Sequence, residues 1–287
     1  MDIQTLLRSE LPASLLEIPQ PPEKLWLQGS LPPVGTKLLA VVGSRALTRY
    51  GRESCEYLIA GLAGYPISIV SGLALGADSC AHRAAMAAGL HTIAIPGSGL
   101  GEEVLYPHTN RSLAQKILEA GGALLSEHPP DHVARKYDFP SRNRIMVGIS
   151  QATLVIEAGE KSGTLITARL TVDYNRELLC VPHRINDVHS SGPNQFIHMG
   201  AVLVSEPNHI LEALGIARPE TIEDITQHVL PLLSGAERIV YELLAEPRSR
   251  DDLVRNINLP VHEALGALSA LELQGFIKET FGTWHRI

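Results

Sequence analysis

Between Asp138 and Gly148 the chain reads DFPSRNRIMVG, and the wider window RKYDFPSRNR gathers Arg135, Lys136, Arg142 and Arg144 against a single acid, Asp138. Tyr137 and Phe139 are interleaved with these cations. Cationic side chains can follow a row of phosphates while an aromatic ring offers a face for a base, the combination that binds single-stranded nucleic acid. The same residues read equally as a solvated loop, with Phe139 anchored in the core and the arginines paired with acids such as Glu157. Spacing does not separate a stacking ring from a packing ring. Pro140 favours an extended Phe139 and is tolerated in a helix's first turn, so a helix is expected just after it. Arg142 and Arg144 would then stand in that first turn, at the positive end of the helix dipole, where a polyanion would relieve their repulsion.

Four glycine-rich turns are the other candidates: GSRALTRYG (Gly43, Ser44, Arg45), SGLALGAD (Ser71, Gly72, through Asp78), PGSGLG (Pro96 to Gly101) and KSGTLIT (Lys161, Ser162, Gly163). Each follows an apolar run. A helix that starts there presents unpaired N–H groups and a positive dipole end to any anion. Such turns often serve packing alone, but four together, with Arg45 and Lys161 beside them, favour a phosphate-bearing ligand. None matches G-x-G-x-x-G or G-x-x-x-x-G-K-[ST], so NAD or ATP is not supported and no cofactor is expected. In HPPDH, His128 and His132 have a suggestive spacing, but the two prolines prevent the helix that would join them, and no metal is expected. A rival reading is an enzyme of the nucleotide phosphoribohydrolase type, for which Glu157 and Asp78 are the placed carboxylates. A pure interaction scaffold would leave the basic cluster unexplained.

From Leu38 to about Val204, the runs LLAVVG, ISIVSG, HTIAIPG, ALLSE, ATLVIEA, LLCVP and AVLVSE alternate with helical patterns such as GRESCEYLIAGLAG, GADSCAHRAAMAAG, NRSLAQKILEAGG and GTLITARLTVDYNR. Continuously apolar runs are how strands buried on both faces read. The expected class is α/β, a Rossmann-like, mostly parallel sheet with helices on both faces, spanning residues 1–217. Residues 1–37, proline-rich and carrying the strand candidate KLWLQG, would form an appended edge. Residues 218–232 read as a linker. Residues 233–287 give three helical patterns and two short strands around Gly282, a small winged-helix domain. Its third helix, VHEALGALSALELQG, has no Lys or Arg and two Glu, which suits a protein contact better than a duplex groove.

Composition bounds the rest. The 287 residues are 45% hydrophobic and 5% aromatic, with 24 glycines and 19 prolines, which suits many short strand-to-helix turns. The formal charge of -7 argues weakly against nucleic acid unless the cations are gathered in one place. The first thirty residues lack a secretory pattern and no apolar stretch could span a bilayer, so a cytoplasmic protein without a membrane partner is expected. Cys55, Cys80 and Cys180 form no C-x-x-C pair and read as small buried hydrophobes.

The segments VVGSR, IVSGLALGADSCAHRAA, GSGL followed by Tyr106-Pro107, GGALLSE, FPSRNRIMVGIS, EAGEKSGTLITARL and GPNQFIHMGAVLVSEP run in order from about Val41 to Pro207. They resemble the DNA-processing protein A family, also called Smf, of bacterial natural transformation. The resemblance implies a non-enzymatic single-stranded-DNA-binding protein, acting as a homodimer, that protects incoming strands and loads a RecA-type recombinase. A single-stranded-DNA-binding protein is a further partner in that setting. By motif position it makes Arg45, Lys136, Phe139, Arg142, Asn143 and Arg144 DNA-contacting, with Gly43, Ser44, Ser71, Gly72, Lys161, Ser162 and Gly163 at the turns and Arg176 before a strand. This sequence lacks the N-terminal helical domain of many members, so that domain's role is expected to be absent. His183 replaces a usual glycine and Ala77 a usual isoleucine.

Overall fold

The computed structural model describes residues 2–159, 162–187, 190–217, 233–280 and 282–286, in two compact units that divide between Ala217 and Arg218. The linker expected at 218–232 lies outside the described residues.

In the first unit the chain runs β1 (Gln4–Leu7), α1 (Ala13–Leu16), β2 (Lys24–Gly29), β3 (Lys37–Val42), α2 (Arg49–Ala60), β4 (Ile67–Ser71), α3 (Ala77–Ala87), β5 (His91–Ala94), α4 (Arg111–Glu119), β6 (Ala123–Ser126) and α5 (Asp138–Ile149). It continues through β7 (Ala152–Val155), α6 (Thr164–Asp173), β8 (Glu177–Cys180), α7 (Ser191–His198), β9 (Val202–Leu203) and α8 (Pro207–Ala213). Among the described residues these strands form one sheet in the order β1-β2-β6-β5-β4-β3-β7-β8-β9. β6 through β9 in that order are mutually parallel, and β1 and β2 add antiparallel at the β6 edge. The fold is therefore the Rossmann-like α/β class expected from the alternation.

The two faces follow from the period of two along a strand. Leu39 and Val41 of β3 point into a core shared with Leu58 and Ile59 of α2 and Ala81 and Ala85 of α3. Val42 points to the other face, with Ile145, Met146 and Ile149 of α5, Ala168 of α6 and Leu15 of α1. Leu39 and Ile69 pair across β3 and β4 and are fully buried, so truncating either to Ala would cost about 2–5 kcal/mol. β1 is largely exposed and has no alternating pattern, which is why the sequence gives no element there.

Chain order reverses between β3 and β7. From β3 the chain goes to β4 on one side, and after β6 it returns to β7 on the other. The loops leaving β3 and β7 therefore diverge to opposite faces and leave a crevice at the carboxyl ends of the strands, where open parallel sheets bind ligands.

The second unit is a winged helix: α9 (Gly235–Leu243), β10 (Arg248–Ser249), α10 (Arg250–Asn256), α11 (Val261–Leu273), β11 (Ile277–Thr280) and β12 (Thr283–Arg286), with strand order β10-β12-β11. Ser234 caps α9 reciprocally with Glu237, and Ser249 caps α10. Ala264, Ala267, Leu268 and Leu271 of α11 are buried at helical spacing, the last three against Val240, Tyr241 and Trp284. No described helix is long and apolar enough to cross a membrane.

Candidate functional site

A cleft of about 1360 Å³ occupies the crevice, lined by the loops after β3, β7 and β8 and by the first turns of α5 and α6. Of the residues singled out by sequence, Gly43, Ser44, Arg45, Lys136, Phe139, Arg142, Asn143, Ser162 and Gly163 line it. Ser71, Gly72, Arg144 and Arg176 do not line it, and Lys161 lies outside the described residues.

Arg45 and Lys136 are exposed at the cleft. The Arg45 guanidinium carbon lies 5.6 Å from the centre of the Phe139 ring, and Tyr106 stands 5.5 Å from that ring on a tilted plane. A Cβ on Gly97 would come within 2.8 Å of Phe139, so the bare glycine is what lets the ring settle. Phe139 is thus half anchored and half presented: one reading did not exclude the other. Also lining the cleft, Ser162 Oγ accepts a hydrogen bond from Thr164 N at 3.2 Å and Gly163 faces open space, so the N-terminus of α6 is accessible to an anion.

The buried side of the site is a charge constellation. Arg142 is 7% exposed and donates from Nη1 to the carbonyl of Ile95. Burial pulls its pKa down to about 10, opposed by the nearby Asp78 carboxylate and reinforced by Arg45. Asp78 accepts from Gly72 N at 3.1 Å and Ala74 N at 3.2 Å, yet burial still raises its pKa above the ordinary carboxylate value despite Arg142. A Cβ on Gly72 would lie 1.8 Å from Arg142 Nη1, so this glycine makes room for a guanidinium of the same chain. Ser71 Oγ donates to the carbonyl of Val41 at 2.7 Å and is fully buried. The SGLALGAD turn therefore holds Arg142 in place, with Ser71 Oγ turned to the Val41 carbonyl and Gly72 N to Asp78. Gly43 is also tight for internal reasons, since its Cβ would lie 2.7 Å from that of Ala77. Gly76, with φ of 74°, lets the carbonyl of Ser44 approach to a point 2.2 Å from where a Cβ would stand.

Helix α5 begins at Asp138, earlier than expected, with Pro140 inside its first turn. Arg142 and Arg144 consequently sit one turn further in and on opposite faces, away from the repulsive end of the dipole. Arg144 reaches both oxygens of Glu127, at 2.6 Å for Oε2, with 14% and 26% of the two side chains exposed. Arg176 lies at the amino end of β8, opposite the cleft, where Nη2 donates to Ser14 O at 2.9 Å and faces Glu17 at 3.4 Å.

The carboxylates of the enzyme reading are both engaged in the scaffold. Glu157 is fully buried, accepts from Thr48 N at 3.1 Å and from the Thr48 hydroxyl, and so fixes the start of α2. Asp78 faces Arg142 as described. Two features went unassigned in the sequence. Tyr106 is one, although its Tyr-Pro motif was visible. Asn194 is the other: its side chain clamps His183 N and O at 3.1 and 3.0 Å. His183 itself reaches back to the carbonyl of Ile156 at 2.7 Å, so the residue in the usual glycine's place ties the β8 loop to the β7 exit.

A doubly wound α/β domain with a cationic, aromatic-edged cleft at its reversal point, followed by a winged helix, defines a narrow class. Residues 2–215 match the model of the DNA recombination-mediator protein A family, and residues 227–282 match the DprA winged helix domain. The chain belongs to that family of DNA-processing proteins. It is 37% identical over 283 residues to Protein Smf of Escherichia coli, covering 96% of this chain and 75% of that one. It is 39% identical over 200 residues to DNA processing protein DprA of Streptococcus pneumoniae, 70% of each chain. The solved structure of the pneumococcal protein superposes with a TM-score of 0.69 at 37% identity, over 73% of this chain and 74% of that one. A Helicobacter pylori DNA processing protein A structure, described for its single-stranded DNA binding mode, gives 0.64 at 29% identity, over 74% of this chain and 95% of that one.

Proposed function

We propose that this chain is a recombination mediator that binds single-stranded DNA in the cleft at the carboxyl ends of β3 and β7. The observation that carries the reading is that Arg45, Lys136 and Phe139 line one cleft together with the open N-terminus of α6. Arg45 and Lys136 neutralise phosphates, Phe139 stacks a base, and Ser44, Asn143, Ser162 and Gly163 line the backbone path, with Lys161 beside them by sequence. The single-strand binding described for the Helicobacter pylori relative supports the same ligand here. Arg142 contributes from beneath as a fixed positive charge, and Gly43, Ser71, Gly72, Arg144 and Arg176 hold the scaffold.

In this reading the protein is cytoplasmic, acts as a homodimer, protects incoming strands and delivers them to a RecA-type recombinase during natural transformation. The winged helix serves a protein contact, since α11 offers no cation to a duplex groove. The protein is not a nucleotide hydrolase, because Glu157 is engaged with Thr48 and presents no carboxylate to a ligand. Fluorescence anisotropy with labelled oligo-dT and with a duplex of equal length tests the binding step. Tighter binding of the single strand, weakening steeply with salt, is expected; equal affinities would refute it. For the mediator step, recombinase filament assembly on strands coated by single-stranded-DNA-binding protein should start sooner when this protein is added, and an unchanged lag would reject it.

A further inference from the structure

The HPPDH segment and the PGSGLG turn do not line the cleft, yet they pack on each other. Gly99 N donates to His132 O at 2.9 Å and Gly101 N to Pro130 O at 2.8 Å. A Cβ on Gly99 would come 2.2 Å from Pro129 O, and one on Gly101 2.6 Å from Pro130 O, so both glycines are shaped to this loop. His128 N donates to Ser126 Oγ at 3.0 Å and His132 N to Pro129 O at 3.0 Å. The two prolines that exclude a helix thus sit in a reverse turn, and the turn does what the helix would have done. It brings the rings of His128 and His132 face to face, centres 4.1 Å apart.

Both rings address one carboxylate. His132 Nε2 lies 2.7 Å from Asp138 Oδ2 and His128 Nε2 3.8 Å from Oδ1. One donor atom from each of the three residues lies within 4.8 Å of the others. We propose that His128, His132 and Asp138 form a binding site for a divalent transition-metal ion of the zinc type.

Two imidazoles and one carboxylate are borderline-soft donors that suit zinc over magnesium or calcium. Metal–ligand bonds of about 2.0–2.2 Å place tetrahedral donor atoms roughly 3.3–3.6 Å apart, so His132 and Asp138, now 2.7 Å apart, must separate a little while His128, 3.8 Å from the carboxylate, moves in. The stacked rings must open about their Cβ–Cγ bonds for their lone pairs to converge. With 22% and 21% of the two side chains exposed, solvent leaves them room to do so. Arg135 N donates to Asp138 Oδ2 at 2.7 Å and orients the carboxylate, as outer partners of metal ligands do. Three protein ligands leave a fourth position for water or an oxyanion.

The site fastens the loop that carries Lys136 to the first turn of α5, next to Phe139. Bound metal should therefore preorganise the cleft edge, a consequence that rests on the single-strand reading, whereas the site itself does not.

The test uses the full chain, stripped with chelator and titrated with cobalt(II) and zinc. One ion per chain is expected, with the visible absorption of four-coordinate cobalt, displaced by zinc, and with zinc raising the melting temperature. His128→Gln, which gives up a 3.8 Å contact and the stacking on His132, and Asp138→Asn should each weaken binding by at least about tenfold. His262→Ala, at a histidine whose side chain is 83% exposed, should leave it unchanged. Circular dichroism confirms that each variant is folded. No cobalt band, or a stoichiometry that survives His128→Gln combined with Asp138→Asn, overturns the site. Oligo-dT affinity with and without zinc is read separately: a chain that binds metal but no DNA would refute the proposed function and support the site.

Discussion

Replacing Arg142 by Met keeps the length of the side chain and deletes its charge, and the consequences can be worked through from its neighbours. The carbonyl of Ile95 loses a charged donor, worth ~1.5–3 kcal/mol. Asp78 loses the cation that most offsets its burial and keeps the N–H groups of Gly72 and Ala74 and the weaker influence of Arg45. Asp78 acts on Arg142 through charge alone, so the lost donor sets the scale, and Arg142→Met should lower unfolding free energy by at least ~1.5–3 kcal/mol in urea titrations at pH 7. Because the Asp78 pKa is already raised, losing Arg142 raises it further, and a carboxyl raised in the folded state favours folding at acid pH. The deficit should shrink as pH falls toward 4. Asp78→Asn in the same background should recover part of it, giving a coupling of ~0.5–3 kcal/mol in a double-mutant cycle. A loss under 1 kcal/mol, or additive effects of the two substitutions, would show that the constellation is not what holds this end of the sheet.

Three further outcomes follow from neighbouring residues. Arg144→Ala breaks the pair with Glu127 and should cost ~1.5–3 kcal/mol in the same titration while changing oligo-dT affinity less than twofold, and a specific loss of binding at unchanged stability would reverse that assignment. Phe139→Ala should weaken oligo-dT binding by ~1–3 kcal/mol with little change in salt dependence, as measured by anisotropy, because it removes a stacking face and no charge. His82 is fully buried with Nδ1 2.8 Å from the Thr92 hydroxyl, which itself donates to Ile69 O; burial, with Arg142 and Arg83, lowers its pKa to about 3. A depressed folded-state pKa means stability is present above about pH 6.5 and drains as pH falls toward 3. Denaturant titrations should thus show ~2–3 kcal/mol less stability at pH 4.5 than at pH 7.5, with a shallower fall in His82→Gln.

Much of the fold was legible because strands buried on both faces leave continuous apolar runs, as in β3, β4 and β7, and the winged helix because Ala264, Ala267, Leu268 and Leu271 keep helical spacing. β1 was not legible, since an exposed edge strand carries no pattern. In the site, Arg45, Lys136 and Phe139 could be gathered from composition and motif, as their types suffice. Arg142 and Arg144 could not be told apart: two residues apart on one helix, they face opposite ways, and only the start of α5 at Asp138 and the partners Ile95 and Glu127 decide each role. Arg176 is paired with the N-terminal segment, a contact 162 residues distant that no local pattern encodes. Gly72 makes room for the Arg142 guanidinium, and a glycine that admits a guanidinium and one that admits a phosphate look the same in sequence.

In the proposed function Arg45 and Lys136 meet the phosphates of a single strand at this cleft. The salt dependence of oligo-dT affinity, compared between the parent chain and Arg45→Ala/Lys136→Ala, puts this to the test. Each neutralised phosphate contributes about 0.7 to the log–log slope, so the double variant should be shallower by roughly 1.4 and weaker at low salt. A slope unchanged from the parent would place the DNA elsewhere on the molecule.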